Sequence, residues 1–211
     1  MTRVIADISV SLDGFVTGPG PGPDNGLGTG GEALHTWAFS DDRDDRRVLR
    51  EGTARSGAGE VGKPAFVVVT SSPPESVRLT DLGWTFVTTG LPDAVTAARE
   101  RAEAASSDSG KELDVVLMGG GATIGSALDA GLVDTLSLHL APVVLGTETP
   151  LFIGRAPRTL IPIDAVTGWG VLAPGPRSGP VPARTAPGTS PAAQEFGFWL
   201  KFCGPVAERY W

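Results

Sequence analysis

The stretch "DVVLMGGGATIGSALDAG", residues 114–131, constrains the fold more than any other. "DVVLM" is a continuous apolar run, as expected of a strand buried on both faces. "ATIGSALDAG" places Ile124, Ala127 and Leu128 at helical spacing, and Gly131 fits a left-handed helix stop. Three glycines, Gly119, Gly120 and Gly121, join the two. At a strand-to-helix junction the first helical N–H groups lack partners and the helix dipole adds partial positive charge. Glycines there leave room for a phosphate to approach. The same pattern also fits a tight turn needing positive φ. The spacing is neither G-x-G-x-x-G nor that of a P-loop, so the local pattern leaves both readings open.

The rest of the chain supplies partners for this unit. "RVIADISV", residues 3–10, reads as a buried strand. The long loop 11–31 is rich in Gly and Pro, which exclude helix and central strand. Residues 32–55 read as helical, with the charge run "DDRDDRR" as a solvated face and Val48 and Leu49 turned inward. "AFVVVTSSPP" and "WTFVT" read as strands, and "LPDAVTAARERAEAA" as a helix opened by Pro92. "TLSLHLAPVVLG", residues 135–146, is a strand in which Leu136, Leu138 and Leu140 alternate with Ser137 and His139. Strands and helices alternate, so the class is α/β with a largely parallel sheet.

Composition narrows the chemistry. A net charge of -7 argues against a phosphate-backbone surface, so no nucleic-acid partner is expected. No apolar run reaches the ~20 residues of a membrane helix, and no signal peptide is recognisable, so a cytoplasmic protein is expected. One cysteine, Cys203, excludes an intrachain disulfide. His35 and His139 lie far apart in sequence and read as structural residues, so no metal site is expected.

Two further strand ends carry candidate chemistry, because ligands in open α/β sheets bind outside the carboxyl ends of strands. In "SLDG", residues 11–14, Asp13 is a candidate to exchange protons or hold a polar substrate, and equally a candidate for a plain Asp-Gly turn. In "TSS", residues 70–72, small hydroxyls fit a ribose or phosphate, or simply end a strand before Pro73.

Together, "ISVSLDGFVTGP…DNGLGTGGEALHTW", the glycine-turn stretch with "LAPVVLG", and "TPLF" resemble the dihydrofolate-reductase-like superfamily. The nearer resemblance is to relatives of the C-terminal reductase domain of the riboflavin-pathway deaminase–reductase, over roughly residues 1–155. The resemblance implies a three-layer sandwich with a mostly parallel central sheet in residues 1–155; composition sets an irregular Pro-rich tail with an aromatic end over 156–211. It implies NADPH-dependent reduction of a small heterocyclic or carbonyl substrate, similar to 5-amino-6-(5-phosphoribosylamino)uracil reductase; the alternative is an inactive nucleotide-binding or interaction protein on the same fold. The cofactor pyrophosphate would lie on Gly119, Gly120, Gly121, Ala122, Thr123 and Ile124. The adenosine ribose phosphate would lie near Thr70 and Ser71, and the nicotinamide near Ala6, Ser11 and Leu12. Asp13 matches an acidic position beside the substrate, loop 14–31 a lid, and a homodimer is the implied assembly.

Three departures accompany the resemblance. Only "GAGEVGKP", residues 57–64, stands where the family has a further strand and helix bearing a Gly-Arg-x-Thr turn, so the sheet is expected to be shortened in its middle. A Pro-rich stretch replaces the family's C-terminal hairpin, and Met118 stands where riboflavin-pathway enzymes often have an acid.

Overall fold

The computed structural model describes residues 1–22, 24–56, 65–77, 83–152 and 159–166. The short segment 57–64, the Pro-rich stretch 171–194 and the aromatic end of the chain lie outside the described residues. Five strands are described, β1 (Val4–Ser11), β2 (Phe66–Val69), β3 (Trp84–Val87), β4 (Val115–Leu117) and β5 (Thr135–Ala141). A 3-10 helix (Gly31–Phe39) and three α-helices, α1 (Arg43–Arg55), α2 (Leu91–Ser109) and α3 (Gly121–Asp129), complete the elements.

Central strand β1 runs parallel to both its neighbours, in the order β4-β1-β5. Val4, Ile5 and Ala6 face Val115, Val116 and Leu117, while residues 5–11 of β1 face residues 135–141 of β5. Parallel pairing follows from the crossover helix α3, which returns the chain to the same end of the sheet. A second parallel pair, β2 with β3, stands apart from these three.

Strand alternation sorts the faces of β1. Val4, Ala6, Ile8 and Val10 point to one side and form the core with Ala94, Val95 and Ala98 of α2 and Ile124 and Ala127 of α3. Ile5, Asp7, Ser9 and Ser11 point to the other, where the 3-10 helix packs and α1 packs against it in turn. The result is an α/β sandwich of three layers around a parallel sheet, as the resemblance implies.

The middle of the sheet is shortened. Among the described residues no ladder joins β4 to β2; both strands lie against α2 and line a narrow apolar crevice with Val67, Val69, Val115 and Leu117. At the head of β4 the Asp114 N–H donates instead to the Arg55 carbonyl, 2.9 Å away, at the end of α1.

Three sequence expectations change. The helix expected over 32–55 breaks at residues 40–42, because Asp42 caps a new helix by accepting from the N–H groups of Asp44 and Asp45. In α1 it is Asp45 that turns inward, at 7% exposure, held by the Ser40 hydroxyl at 2.5 Å, whereas Leu49 is exposed. Strand β5 ends at Ala141, where Pro142 removes the next ladder donor.

Leu117 is 1% exposed beneath α2. Leu117→Ala should therefore cost about 2–5 kcal/mol, read as a lowered midpoint in urea unfolding; a cost near zero would mean that the two halves of the core do not meet at β4.

Candidate active site

The loop leaving β1 is fixed by its own polar groups. Ser11 is 1% exposed; its hydroxyl donates to Asp13 Oδ1 at 2.6 Å and accepts from the Phe15 N–H at 2.8 Å. Asp13 also accepts from the N–H groups of Leu145 at 3.1 Å and Gly146 at 2.7 Å, so it clamps the loop after β5 to the loop after β1. The Ser11 hydroxyl above all holds the Asp13 carboxyl below its ordinary value; burial opposes it next, and the N–H groups of Gly146 and Leu145 add to the lowering. Asp13 is thus an ionised acceptor at neutral pH. The Leu12 N–H donates to the Val143 carbonyl, leaving its side chain exposed.

Residues 149–151 complete the frame. Val16 donates to the Thr149 carbonyl at 2.8 Å, Leu151 donates to Gly14 at 2.9 Å, and Phe15 bridges Pro150. The same segment presses on α3, since a Cβ at Gly121 would lie 2.5 Å from the Pro150 carbonyl oxygen. The "SLDG" loop, "TPLF" and the glycine turn therefore form one contiguous construction at the carboxyl ends of β1 and β4.

The glycines serve space rather than backbone torsion. None of Gly119, Gly120 and Gly121 has a positive φ, which corrects the tight-turn reading. Gly121 is required by the close approach to Pro150. Gly120 is exposed, has no side-chain cap on its helix, and a Cβ built on it meets nothing within 4 Å. Its carbonyl accepts from Thr123 and Ile124, which starts α3. The open ground before a helix start is what an anion against backbone N–H groups needs.

The other expected cofactor residues divide. Ala122 is exposed at the same helix start. Ala6 and Ile124 are fully buried in the core, so they shape the site from beneath and offer it no side chain. The Thr70 hydroxyl donates to the Ser72 carbonyl at 2.8 Å and accepts from the Ser72 N–H, closing its own turn, with Ser71 exposed beside it. Both belong to the separate β2–β3 pair.

A second cluster escaped the sequence reading. On the face of the sheet away from α2 and α3, His139 Nε2 lies 2.8 Å from Asp7 Oδ1. The Trp37 indole stacks on the His139 ring at 3.9 Å between centroids and 12° between planes, and donates its N–H to the Ser9 hydroxyl at 3.0 Å. The available signal was the alternation of Asp7, Ser9 and Ser11 within an otherwise apolar strand, with Ser137 and His139 opposite Asp7 and Ser9. The neighbouring His35 has its pKa lowered, first by burial and then by repulsion from His139, with Asp7 partly opposing.

A family model for the RibD C-terminal domain matches residues 43–166, more than half of the chain. The chain belongs to the RibD C-terminal domain family. It is thereby related to the C-terminal reductase domain of the riboflavin-pathway deaminase–reductase, in a family of reductase-like domains whose reductases typically use a nicotinamide cofactor. A solved structure of a protein provisionally assigned to riboflavin biosynthesis, from Shewanella sp. PV-4, is similar at 20% identity and a TM-score of 0.41, over 75% of this chain and 86% of its own. No curated protein matches the chain. Among the described residues no helix is long and apolar enough to cross a membrane.

Two outcomes test this geometry. Gly121→Ala should destabilise the fold by about 1–3 kcal/mol, because its Cβ meets backbone that must shift, while Gly120→Ala should leave thermal unfolding nearly unchanged; equal effects would contradict the packing. Because the His35 pKa lies lower in the folded chain than its unfolded value near 6.5, the unfolded chain binds more protons below that pH. Stability should fall as pH drops from about 7 to 5, and His35→Gln should flatten that slope in urea titrations; an unchanged slope would contradict the burial of a neutral imidazole.

Proposed function

We propose that this chain is an NADPH-dependent reductase of a small heterocyclic or carbonyl compound. The single observation that carries the reading is the exposed, unobstructed Gly120 at the start of α3, locked beside the "SLDG" loop by residues 149–151. Family membership supports the reductase class.

In this reading Gly119, Gly120 and Gly121 receive the cofactor pyrophosphate on backbone N–H groups, with Ala122 and Thr123 bordering it in the first turn of α3 and Ile124 anchoring the helix from below. Ser11 and Leu12 border the nicotinamide, Ala6 supports the strand beneath, and Thr70 and Ser71 face the adenosine ribose phosphate. When bound, NADPH supplies the hydride, and the protein contributes position and electrostatics. Asp13 acts by holding residues 145–146 against the loop that borders the reacting ring. Its acceptor sites are already engaged, so positioning suits it better than proton donation. The two arms of loop 14–31 are joined by Gly18 donating to Leu27 and Thr29 to Pro19, and in this reading the loop covers the carboxyl end of β1. A cytoplasmic setting and a homodimer complete the proposal.

A specific observation favours a second reading, a nucleotide-binding protein without turnover. β2, which Thr70 follows, pairs with β3 apart from the sheet that carries the glycine turn, and no Gly-Arg-x-Thr turn follows α1 in the sequence. Losing an Arg–phosphate pair removes a charge-assisted contact.

NADPH binding, followed by its fluorescence, tests the shared core of both readings. Gly120→Asp places an anion against the phosphate and should weaken binding by about tenfold or more, roughly 1.4 kcal/mol, with circular dichroism unchanged. Unchanged affinity would refute the cradle. Oxidation of NADPH across a panel of pteridines and carbonyl compounds then separates turnover from binding alone.

A further inference from the structure

The sheet is interrupted where two open strand edges face one another. In β4 the Val115 N–H reaches back to the Arg3 carbonyl beside β1, so Val116, one residue on, turns its N–H and C=O to the opposite edge. In β2 and just past its end, Phe66 and Thr70 donate to Gly83 and Val87 on the β3 side, so Val67 and Val69 turn theirs toward β4. Among the described residues nothing partners these backbone groups of Val67, Val69 and Val116. Val67 is 3% exposed, so its groups are withdrawn from water as well. Native chains seldom leave buried backbone donors and acceptors unpaired.

We propose that residues 195–203 of this same chain add a strand between β4 and β2, pairing with Val116 on one edge and with Val67 and Val69 on the other. The sequence "EFGFWLKFC" alternates Phe196, Phe198, Leu200 and Phe202 with Gly197, Trp199 and Lys201, the period of a strand with one apolar face. Aromatic residues favour strands, and no proline stands between Ala192 and Gly204 to deny a ladder bond. The apolar face suits the floor of the crevice, where α2 presents Leu91, Ala94, Val95 and Ala98. Large side chains pack well against small ones across such a layer, and Ala94 and Ala98 leave them depth.

Length admits this occupant and excludes two others. The connection over residues 167–194 is long enough, since a coil of that length spans roughly 30 Å, the diameter of a small domain. Residues 57–64 are too few to add a strand and return to the head of β2, because a parallel crossover takes about a dozen residues or more. Residues 159–166 carry Leu160, Ile161 and Ile163 exposed, and Pro162 among them is unsuited to a central strand. With the strand in place, β4 and β2 stand two strand spacings apart, about 9.6 Å, so the narrow crevice widens as the β2–β3 pair shifts outward over α2. The sheet then runs unbroken from β5 to β3, and Thr70 follows a strand of the sheet that carries the glycine turn. This inference concerns the sheet and stands apart from the reductase reading.

Amide hydrogen exchange of the full chain, followed residue by residue by NMR, tests the pairing. In the wild-type protein the amides of Val67, Val69 and Val116 should be protected and should show nuclear Overhauser contacts to residues 195–203. Leu200→Pro, which removes a donor and does not fit a central strand, should speed their exchange about tenfold or more. Val115, whose N–H is held by Arg3, should change little in the same variant. Where Leu200→Pro does not fold, Phe198→Asp decides in its place: it sets a charge against the apolar floor of α2 and should expose the same three amides. Fast exchange at these amides in the wild-type protein overturns the proposal, as does protection that survives in a folded variant, or protection without Overhauser contacts to residues 195–203. Protection that grows with protein concentration means that a second copy supplies the strand, and it too overturns the assignment to the chain's own segment.

Discussion

The contact on which the site depends is a backbone one. Gly121 opens α3 directly against the Pro150 carbonyl, so close that a Cβ would lie 2.5 Å from its oxygen. Through residues 149–151 that contact reaches Gly14, Phe15 and Val16, and the Asp13 carboxylate ties in Leu145 and Gly146. Gly121 and residues 14–16 of the first loop, 105 or more residues apart in sequence, become one connected edge of the sheet. No side chain of Gly121 is needed for this; its absence is.

That edge is built on three parallel strands, and the chain departs from a continuous sheet just beyond them. β4 gives its head to Arg55 and lies beside the crevice that separates it from β2. The core survives because α2 spans the break, packing Ala94, Val95 and Ala98 over Val67 on one side and Val115 and Leu117 on the other. Stability and cofactor geometry are thus divided: the apolar layer is continuous, whereas the strand end that carries Thr70 is joined to the glycine turn only through packing.

Much of this was legible in the residues. The apolar runs at 4–10 and 114–118 and the glycine stop at Gly131, which has φ of +66°, announced the parallel strands and α3. Helix phase was less so: Leu49 looks like a core residue, but Asp45 takes the inward position because Ser40 satisfies its carboxylate, a pairing that hydrophobicity does not reveal. The triple glycine was rightly placed, but its reason is space, not left-handed torsion. The Asp7–His139–Trp37 cluster joins residues up to 132 apart, so no local pattern could assemble it.

The sheet therefore holds an open backbone cradle at Gly120 and, apart from it, a polar floor that Trp37 already covers. The account stands on the cradle. Its most direct measurement is the change in backbone amide resonances of the full chain as NADPH is added. The account predicts that the amides of residues 119–123, together with those of Leu12 and Asp13, shift first and furthest. Shifts confined to other regions, or none at saturating cofactor, would contradict it.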